Sequence, residues 1–311
     1  MTTTRVAVVQ AASVVFDREA TLARAHALTQ QAAGQGARVV LFPEAFVGGY
    51  PKGLDFGARV GSRTAAGRDD FLRYHAGAVE VPGPATESLG AAARAADAYL
   101  VVGVVEREGG TLYCTVLFFG PDGALLGRHR KLTPTAAERL VWGCGDGSTL
   151  PVIATPHGRL GAVICWENYL PLLRTAMYAK GVELYCAPTA DDRDTWLPTM
   201  RHVAVEGRCF VLSACQYLTR GDCPADYAAV QGDDPATVLL RGGSCIVSPF
   251  GEVLAGPDFT GPCILTADLD LGEIVRGKYD LDVVGHSARP DVFQLRVDER
   301  PRRAVVADDE G

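Results

Sequence analysis

The sequence has no excess of basic residues and no long apolar run. Its 30 Lys and Arg residues face 37 Asp and Glu residues, giving a formal net charge of -7 at pH 7. Nucleic acids and anionic membranes bind preferentially to positively charged protein surfaces, so neither is an expected partner. No apolar run approaches the roughly 20 residues of a membrane-spanning helix. The start lacks a basic region and is interrupted by Gln10, which predicts a strand rather than a signal peptide. We expect a soluble cytoplasmic protein.

Paired cysteines and metal-ligand spacings are also missing. The nine cysteines are an odd number and none stands in a CxxC arrangement, which argues against a disulfide framework or a zinc ribbon and favours a reducing compartment. The histidines show no HExxH or other ligand spacing, so zinc-dependent hydrolysis is not expected. With 48% hydrophobic and 22% charged residues, the composition is that of an ordinary globular protein.

Strand and helix patterns alternate along the chain. A strand at 5–9, a helix over about 18–33 and a strand that ends at Pro43 form one unit, and a second strand-helix-strand unit lies at 160–189. This alternation predicts a layered α/β architecture, and several hairpin patterns make the sheets mixed rather than purely parallel. The stretch 48–77 is glycine-rich and predicts a long loop with a short helix.

We expect one domain over residues 1–297, because no linker or low-complexity segment interrupts it. The end of the chain, residues 298–311, is charged and free of aromatic residues. Such a segment cannot bury enough apolar surface to fold alone. It predicts a disordered tail or a partner-binding arm.

Cys165 stands where an apolar strand pattern, GAVIC, gives way to a helical pattern expected from Asn168 to Lys180. A thiol just before a helix feels the positive end of the helix dipole, which lowers its pKa. The backbone N–H of Trp166 is expected to be free, as first-turn donors are, and it would stabilise a developing oxyanion. The alternative is a buried structural cysteine.

Two carboxylates and a lysine are better placed than most histidines to assist that thiol. Glu44 follows a strand and a proline, a position at which α/β sites form, although a solvated loop glutamate is the plain alternative. Lys131 ends GRHRKL, which also fits a basic surface run. Glu138 stands three residues after Thr135, which is capping-box spacing. His129 is the histidine worth retaining, because it lies two residues from Lys131 on an extended stretch.

Taken together, these motifs resemble the nitrilase superfamily. FPEAF, HRKLTPTAAERLVWGCGDGS and GAVICWENYLPLLR occur in the family's order and at about its spacing. MRHVAVEGRCFVLSACQ, GGSCIVSPFGEVLAGP and GHSARPDVFQL further resemble the true nitrilase branch, including bacterial arylacetonitrilases. The resemblance runs from about Arg5 to Leu295. It departs from a common family form at Ser287, where tyrosine is frequent, which affects local packing or a subunit contact rather than the triad.

The resemblance implies a Glu-Lys-Cys triad. Glu44 would be the general base and acid, Lys131 the electrostatic stabiliser and Cys165 the nucleophile. Glu138 falls where the family has a second glutamate that orients the lysine or the substrate. The resemblance also implies a four-layer α-β-β-α sandwich without a metal or cofactor. Members of the family pair across the helices near the cysteine, so we expect a homo-oligomer, a dimer or a larger spiral.

Four residues are candidates for substrate binding. Tyr50 follows Glu44 closely, and Trp166 adjoins the nucleophile, although a large aromatic residue is more often part of the core. Thr189 ends the strand after the cysteine helix, and His129 would face the site beside Lys131.

The resemblance implies hydrolysis of an organic nitrile by water to a carboxylic acid and ammonia, through a cysteine thioimidate and a thioester. An arylacetonitrile or aromatic nitrile is the favoured substrate. An amidase or carbamoylase with the same triad, or a cyanide-degrading enzyme, remains an alternative. A non-catalytic binding protein on the same fold is more remote.

Overall fold

The computed structural model describes residues 3–305, and six α-helices form within them. Asp17 caps the first helix by accepting a 2.9 Å hydrogen bond from the backbone N–H of Ala20. The helices are α1 (Arg18–Gly34), α2 (Ala65–Gly77), α3 (Pro84–Ala96), α4 (Pro171–Ala179), α5 (Trp196–Gly207) and α6 (Gly272–Asp280). Short 3-10 turns occur at Ala136–Leu140, Gly147–Thr149, Cys165–Tyr169 and Arg220–Asp222.

Sixteen strands, several of them only two or three residues long, form within the same residues. They are β1 (Thr3–Gln10), β2 (Val39–Leu41), β3 (Ala58–Arg59), β4 (Ser62–Arg63), β5 (Tyr99–Glu108), β6 (Thr111–Phe119), β7 (Leu125–Arg130), β8 (Val152–Thr155), β9 (Gly158–Ala162), β10 (Leu184–Cys186), β11 (Phe210–Ser213), β12 (Tyr217–Thr219), β13 (Val238–Arg241), β14 (Cys245–Val247), β15 (Val253–Ala255) and β16 (Cys263–Asp270).

Two six-stranded mixed sheets carry the fold. Their strand orders are β16-β1-β2-β5-β6-β7 and β15-β14-β11-β10-β9-β8. In the first sheet, β1 pairs in parallel with β2, with Val6 opposite Val39, and antiparallel with β16. In the second sheet, β9 and β10 pair in parallel, with Leu184 opposite Leu160. Both predicted strand-helix-strand units are therefore present, and the prediction of mixed sheets is confirmed.

The sheets pack face to face between two layers of helices. One buried cluster joins side chains of both sheets, such as Val8 and Leu41 with Leu160 and Leu212. A second cluster packs α1 and α3 on the outer face of the first sheet. A third packs α4 and α5 on the outer face of the second sheet. Each sheet has two apolar faces that need cover, which produces the α-β-β-α order. The four-layer prediction is confirmed.

Two local predictions differ from the structure. The stretch 48–77 contains a full 13-residue helix, α2, rather than a short one. The chain after Cys165 forms the 3-10 turn Cys165–Tyr169, and α4 begins only at Pro171. A proline is well suited to the first turn of a helix and cannot continue an earlier one, which separates the two elements.

The predicted tail is described only as far as residue 305. Residues 298–305 form no helix or strand. Glu299 pairs with Lys180 at 2.6 Å, and the backbone N–H of Arg302 donates to Asp146 Oδ2 at 2.7 Å. Residues 306–311, on which part of the prediction falls, lie outside the described residues. The single-domain boundary at 297 stays a prediction. Over residues 3–305, no helix has both the length and the apolar character needed to cross a bilayer.

Candidate active site

Cys165 occupies a sharp turn just past the carboxyl end of β9. Its backbone is left-handed, with φ of +50°, a conformation that residues other than glycine seldom adopt and that often marks a functional site. Its own N–H donates to Pro188 O at 2.9 Å, and the residue is 4% exposed. Among residues 3–305, the N–H of Trp166 has no hydrogen-bond acceptor, as the sequence predicts for an oxyanion donor.

The expected lowering of the Cys165 pKa is wrong. No α-helix begins at the cysteine, so the dipole that would favour a thiolate is only that of a five-residue turn. Burial raises the pKa of the thiol, and the carboxylate of Glu44 raises it further. The resting nucleophile is therefore a neutral thiol, which must pass its proton to a base before it can attack.

Lys131 lies between two carboxylates at the bottom of the site. Its Nζ donates to Glu44 Oε1 at 2.7 Å and to Glu138 Oε2 at 2.7 Å. Lys131 is fully buried, so it is not part of a basic run on the protein surface. Burial disfavours its charge, but Glu44 and other anionic neighbours keep the pKa of the ammonium above its ordinary value. A fixed positive charge therefore lies beside the nucleophile.

Glu44 has the properties of a base that can also return a proton. It is 1% exposed, and burial raises its pKa against the opposing attraction of Lys131. Its Oε1 accepts from Lys131 and, at 3.4 Å, from the thiol of Cys114. Its Oε2 is buried without a hydrogen-bond partner among residues 3–305. A buried oxygen without a hydrogen-bond partner destabilises the fold and calls for a functional explanation. Glu44 Oε2 is available to accept the proton of the thiol or of a water molecule.

Glu138 combines the two roles that the sequence leaves open. The oxygen that contacts Lys131, Oε2, also accepts from the backbone N–H of Thr135 at 2.7 Å, as a capping box requires. Its Oε1 accepts from the hydroxyl of Tyr50 at 2.8 Å. The residue after Thr135, Ala136, is left-handed with φ of +47°, and Ala45 beside Glu44 is too, with φ of +48°. Left-handed backbone positions thus lie next to Glu44 and two residues before Glu138.

His129 does not reach the cavity. It is fully buried, its Nδ1 lies 2.7 Å from Thr149 O and its Nε2 lies 2.9 Å from Glu167 Oε2. It shares a strand face with Lys131, but two residues along a strand are about 6.6 Å apart. That separation keeps the imidazole ring of His129 away from Lys131 and the other reacting groups. The prediction that His129 binds substrate is corrected to a structural role.

Glu167, which sequence reasoning missed, ties the nucleophile turn to the lysine. Its Oε1 accepts from the N–H of Leu132 at 2.6 Å, and its Oε2 accepts from the N–H of Ile164 at 2.9 Å. These donors flank Lys131 and Cys165 in the chain. A buried carboxylate that accepts several hydrogen bonds holds the donating backbone segments rigidly in place. Only its place two residues after the cysteine could have drawn attention to it.

The cavity above the thiol has a volume of about 570 Å³. Trp166 lies on its wall and is 40% exposed, so it is not a core residue. Its Nε1 donates to Asp191 Oδ2 at 2.8 Å, and the Arg193 guanidinium lies 4.7 Å from the centre of its ring. Tyr50, Phe56, Glu138 and Val141 line other parts of the wall.

Asp191 and Arg193 are additional cavity residues that the sequence analysis did not single out. The guanidinium of Arg193 donates two hydrogen bonds to Asp191, of 2.8 and 2.5 Å. The run TADDRDTW, which begins at Thr189, was the available signal. Thr189 itself is not on the cavity wall. Its hydroxyl instead lies 3.1 Å from Cys165 Sγ. Across residues 3–305, no group of three or more His, Cys, Asp or Glu side chains is placed to hold a metal ion.

Removing Lys131 is expected to destabilise the protein as well as to stop catalysis. Lys131→Met leaves the buried Glu44 and the partly buried Glu138 without their cation, and breaking such a group costs about 3–5 kcal/mol. Denaturant unfolding would measure it. Lys180→Met is the control, because Lys180 and Glu299 form a half-exposed pair for which about 0–1 kcal/mol is expected. Equal losses in the two variants would contradict this view of the site.

Comparison with known proteins identifies the family of this chain. The model of the carbon-nitrogen hydrolase family matches residues 5–279. An aliphatic nitrilase of Sinorhizobium fredii (strain HH103) is 62% identical over 98% of this chain and 99% of its own length. A bifunctional nitrilase/nitrile hydratase of Lupinus angustifolius is 56% identical over 98% of this chain and 88% of its own.

A solved structure supports the fold. The carbon-nitrogen hydrolase from Helicobacter pylori G27 superposes with a TM-score of 0.73 at 20% identity, covering 94% of this chain and 97% of that one. The family model and the two relatives show that the chain belongs to the carbon-nitrogen hydrolase family, within the nitrilase superfamily. It is an enzyme of the nitrilase type.

Proposed function

We propose that the protein hydrolyses an organic nitrile to the carboxylic acid and ammonia, with Cys165, Glu44 and Lys131 as its catalytic residues. The observation that carries the proposal is the convergence of these three side chains under one cavity, with Glu44 Oε2 left unpartnered. A neutral thiol beside an orphaned carboxylate oxygen needs only one proton transfer to become a nucleophile.

The first half-reaction forms a covalent bond to sulfur. Glu44 takes the proton of the Cys165 thiol, and the sulfur attacks the nitrile carbon. The nitrile nitrogen gains a proton, which Glu44 can return, and a thioimidate results. Since Glu44 has a raised pKa, it can hold a proton between the two transfers rather than lose it to solvent.

Water then resolves the thioimidate. Glu44 accepts a proton from water, whose oxygen adds to the carbon, and passes that proton to the thioimidate nitrogen, which gives a tetrahedral intermediate with OH and NH2 groups. Lys131 and the free N–H of Trp166 stabilise the charge that develops there. Expulsion of ammonia leaves a thioester, and a second water, again activated by Glu44, releases the acid and restores the thiol.

For the substrate we propose an aliphatic nitrile. The observation that supports it is that the relative 62% identical is named an aliphatic nitrilase. An aromatic nitrile is the second candidate, since Tyr50, Phe56 and Trp166 also line the cavity. The earlier preference for arylacetonitriles thus stays a prediction.

A panel measuring ammonia and acid release tests these assignments. It contains aliphatic mono- and dinitriles, phenylacetonitrile, mandelonitrile, benzonitrile, cyanide and the matching amides. Acid from aliphatic nitriles at the highest kcat/KM supports the proposal, and a preference for phenylacetonitrile moves it to the second candidate. Turnover of amides alone would indicate an amidase or carbamoylase, and turnover of cyanide alone a cyanide-degrading enzyme. No turnover across the panel would favour a binding protein.

The acid limb of the pH profile is expected above pH 4.5. Glu44 must be ionised to take the thiol proton, and because its pKa is raised from 4.5, activity falls as pH drops through that raised value. The charge of Glu138 contributes to the raised pKa of Glu44. Glu138→Gln should therefore move the limb to lower pH. Profiles of kcat/KM against pH check both, and a limb at or below 4.5, or one that Glu138→Gln leaves in place, would contradict the assignment.

A further inference from the structure

The hydroxyl of Thr189 contacts the nucleophilic sulfur directly. Thr189 is fully buried, and its Oγ1 lies 3.1 Å from Cys165 Sγ. Its backbone N–H donates to Ala214 O at 2.8 Å, which fixes the residue just past the carboxyl end of β10, an interior strand of the second sheet. The contact is therefore built into the rigid part of the fold rather than carried on a mobile loop.

The direction of this hydrogen bond follows from the other partner of the hydroxyl. The backbone N–H of Asp191 donates to Thr189 Oγ1 at 2.9 Å, so one lone pair is occupied and the single hydroxyl proton points elsewhere. Once Cys165 has lost its proton, its sulfur can only accept. In the thiolate state Thr189 must then be the donor, and charge-assisted hydrogen bonds are the stronger kind.

We propose that Thr189 is a catalytic residue that stabilises the Cys165 thiolate and thereby sets the ratio of amide to acid released. This inference rests on the proposed nitrile hydrolysis. Burial raises the pKa of the Cys165 thiol and Glu44 adds to the effect, whereas the Thr189 hydroxyl opposes it. The hydroxyl therefore stabilises the sulfur whenever it is a thiolate. This happens before the sulfur attacks the nitrile carbon and again when it leaves the tetrahedral intermediate.

The two products diverge at the tetrahedral intermediate, whose carbon carries R, the cysteine sulfur, OH and NH2. In the acid route Glu44 takes the proton of the OH as C=O forms and passes it to the NH2, so that the C–N bond breaks and nitrogen leaves as ammonia. In the amide route the C–S bond breaks instead, and sulfur leaves with the bonding pair as a thiolate. Glu44 then reprotonates that thiolate with the proton it took from the OH.

A donor to the departing sulfur favours the amide route. It makes the thiolate a better leaving group without aiding the departure of ammonia. Lys131, Glu44 and Glu138 also influence the sulfur, but two of them are triad residues and the third binds Lys131, so they act on both routes. Thr189 contacts the sulfur and not the cavity wall, so its effect is expected on the partition rather than on substrate fit.

Thr189→Val replaces the hydroxyl with a methyl group of similar size and is the decisive variant. A hydrogen bond to a charged group is worth roughly 10-fold or more, so the amide-to-acid ratio should fall by about that factor while KM changes little. Alkylation of Cys165 by iodoacetamide near pH 7 should slow roughly three-fold or more. The thiolate fraction drops about ten-fold, partly offset by the greater nucleophilicity of a thiolate of higher pKa.

Two further variants separate this effect from damage to the fold. Thr189→Ser keeps the hydroxyl and should retain the wild-type ratio and alkylation rate. Thr29→Val removes a fully buried hydroxyl that bonds Ala25 O within α1, and it should leave both readouts unchanged. A Thr189→Val enzyme with an unchanged ratio and alkylation rate, or Thr189→Ser behaving like Thr189→Val, overturns the proposal.

Failure of the proposed function gives a different pattern. If the wild-type protein hydrolyses no nitrile, no amide-to-acid ratio can be measured, and the proposed function itself fails. If it hydrolyses nitriles but releases no measurable amide, the alkylation rates decide, because they need no nitrile. A normal rate in Thr189→Val would then refute thiolate stabilisation.

Discussion

Cys165→Ala is expected to reduce nitrile turnover to background, a loss of roughly 10⁴-fold or more in kcat, as seen when enzymes lose a catalytic nucleophile. Every step of the reaction passes through a bond to this sulfur, so neither Glu44 nor Lys131 can compensate. Ammonia and acid release from the preferred nitrile measures the loss. The substitution removes one buried atom, so the fold should persist.

A second buried cysteine provides the control. Cys186 lies on β10 and is as deeply buried as Cys165, but burial alone accounts for its raised pKa, with no triad residue involved. Cys186→Ala should therefore keep nearly full turnover. If Cys165→Ala retained even a few per cent of wild-type activity, the covalent mechanism would have to be abandoned.

Glu44→Gln is expected to lower kcat by about 10²–10⁴-fold, the usual contribution of a general acid-base group. Glutamine has nearly the same shape but cannot accept the thiol proton or one from water. The ammonium of Lys131 keeps its 2.7 Å partner Glu138, so the variant should fold. Steady-state kinetics and the rate of acylation in a single turnover measure the effect.

Glu106 is a matched carboxylate for that comparison. It is 1% exposed and binds Arg128, Arg130 and Thr115, away from the thiol. Glu106→Gln tests what loss of a buried charge does by itself, and we expect lower stability with turnover largely kept. A Glu44→Gln enzyme that retains a tenth of wild-type kcat would show that another group takes the proton.

The layered fold and the triad could be predicted from sequence because both follow from local patterns. Strand-helix alternation indicates α/β layers, and Glu44, Lys131 and Cys165 each stand at the end of a strand pattern or just after one. The resemblance of the surrounding motifs supplied the roles. Helix α2 was underestimated because only Gly67, Tyr74 and Gly77 are buried in it, which leaves no apolar period to recognise.

The errors at the site come from interactions between distant segments. His129 meets Glu167 across 38 residues, and no local pattern specifies which two segments the sheets bring together. The pKa of Cys165 was given the wrong direction because a helix dipole can be read from sequence, whereas burial beside Glu44 is a property of tertiary packing.

The left-handed residues Ala45, Ala136 and Cys165 imply that this active site opposes the stability of its own fold. Each such conformation costs about 1–2 kcal/mol for an L-residue, and the buried charges beside them add desolvation. Selection for stability alone would relax these positions, and relaxation would let Glu44, Glu138 and the thiol drift from their present spacing. Efforts to make the enzyme more heat-resistant should therefore change the outer helices and leave these three turns as they are.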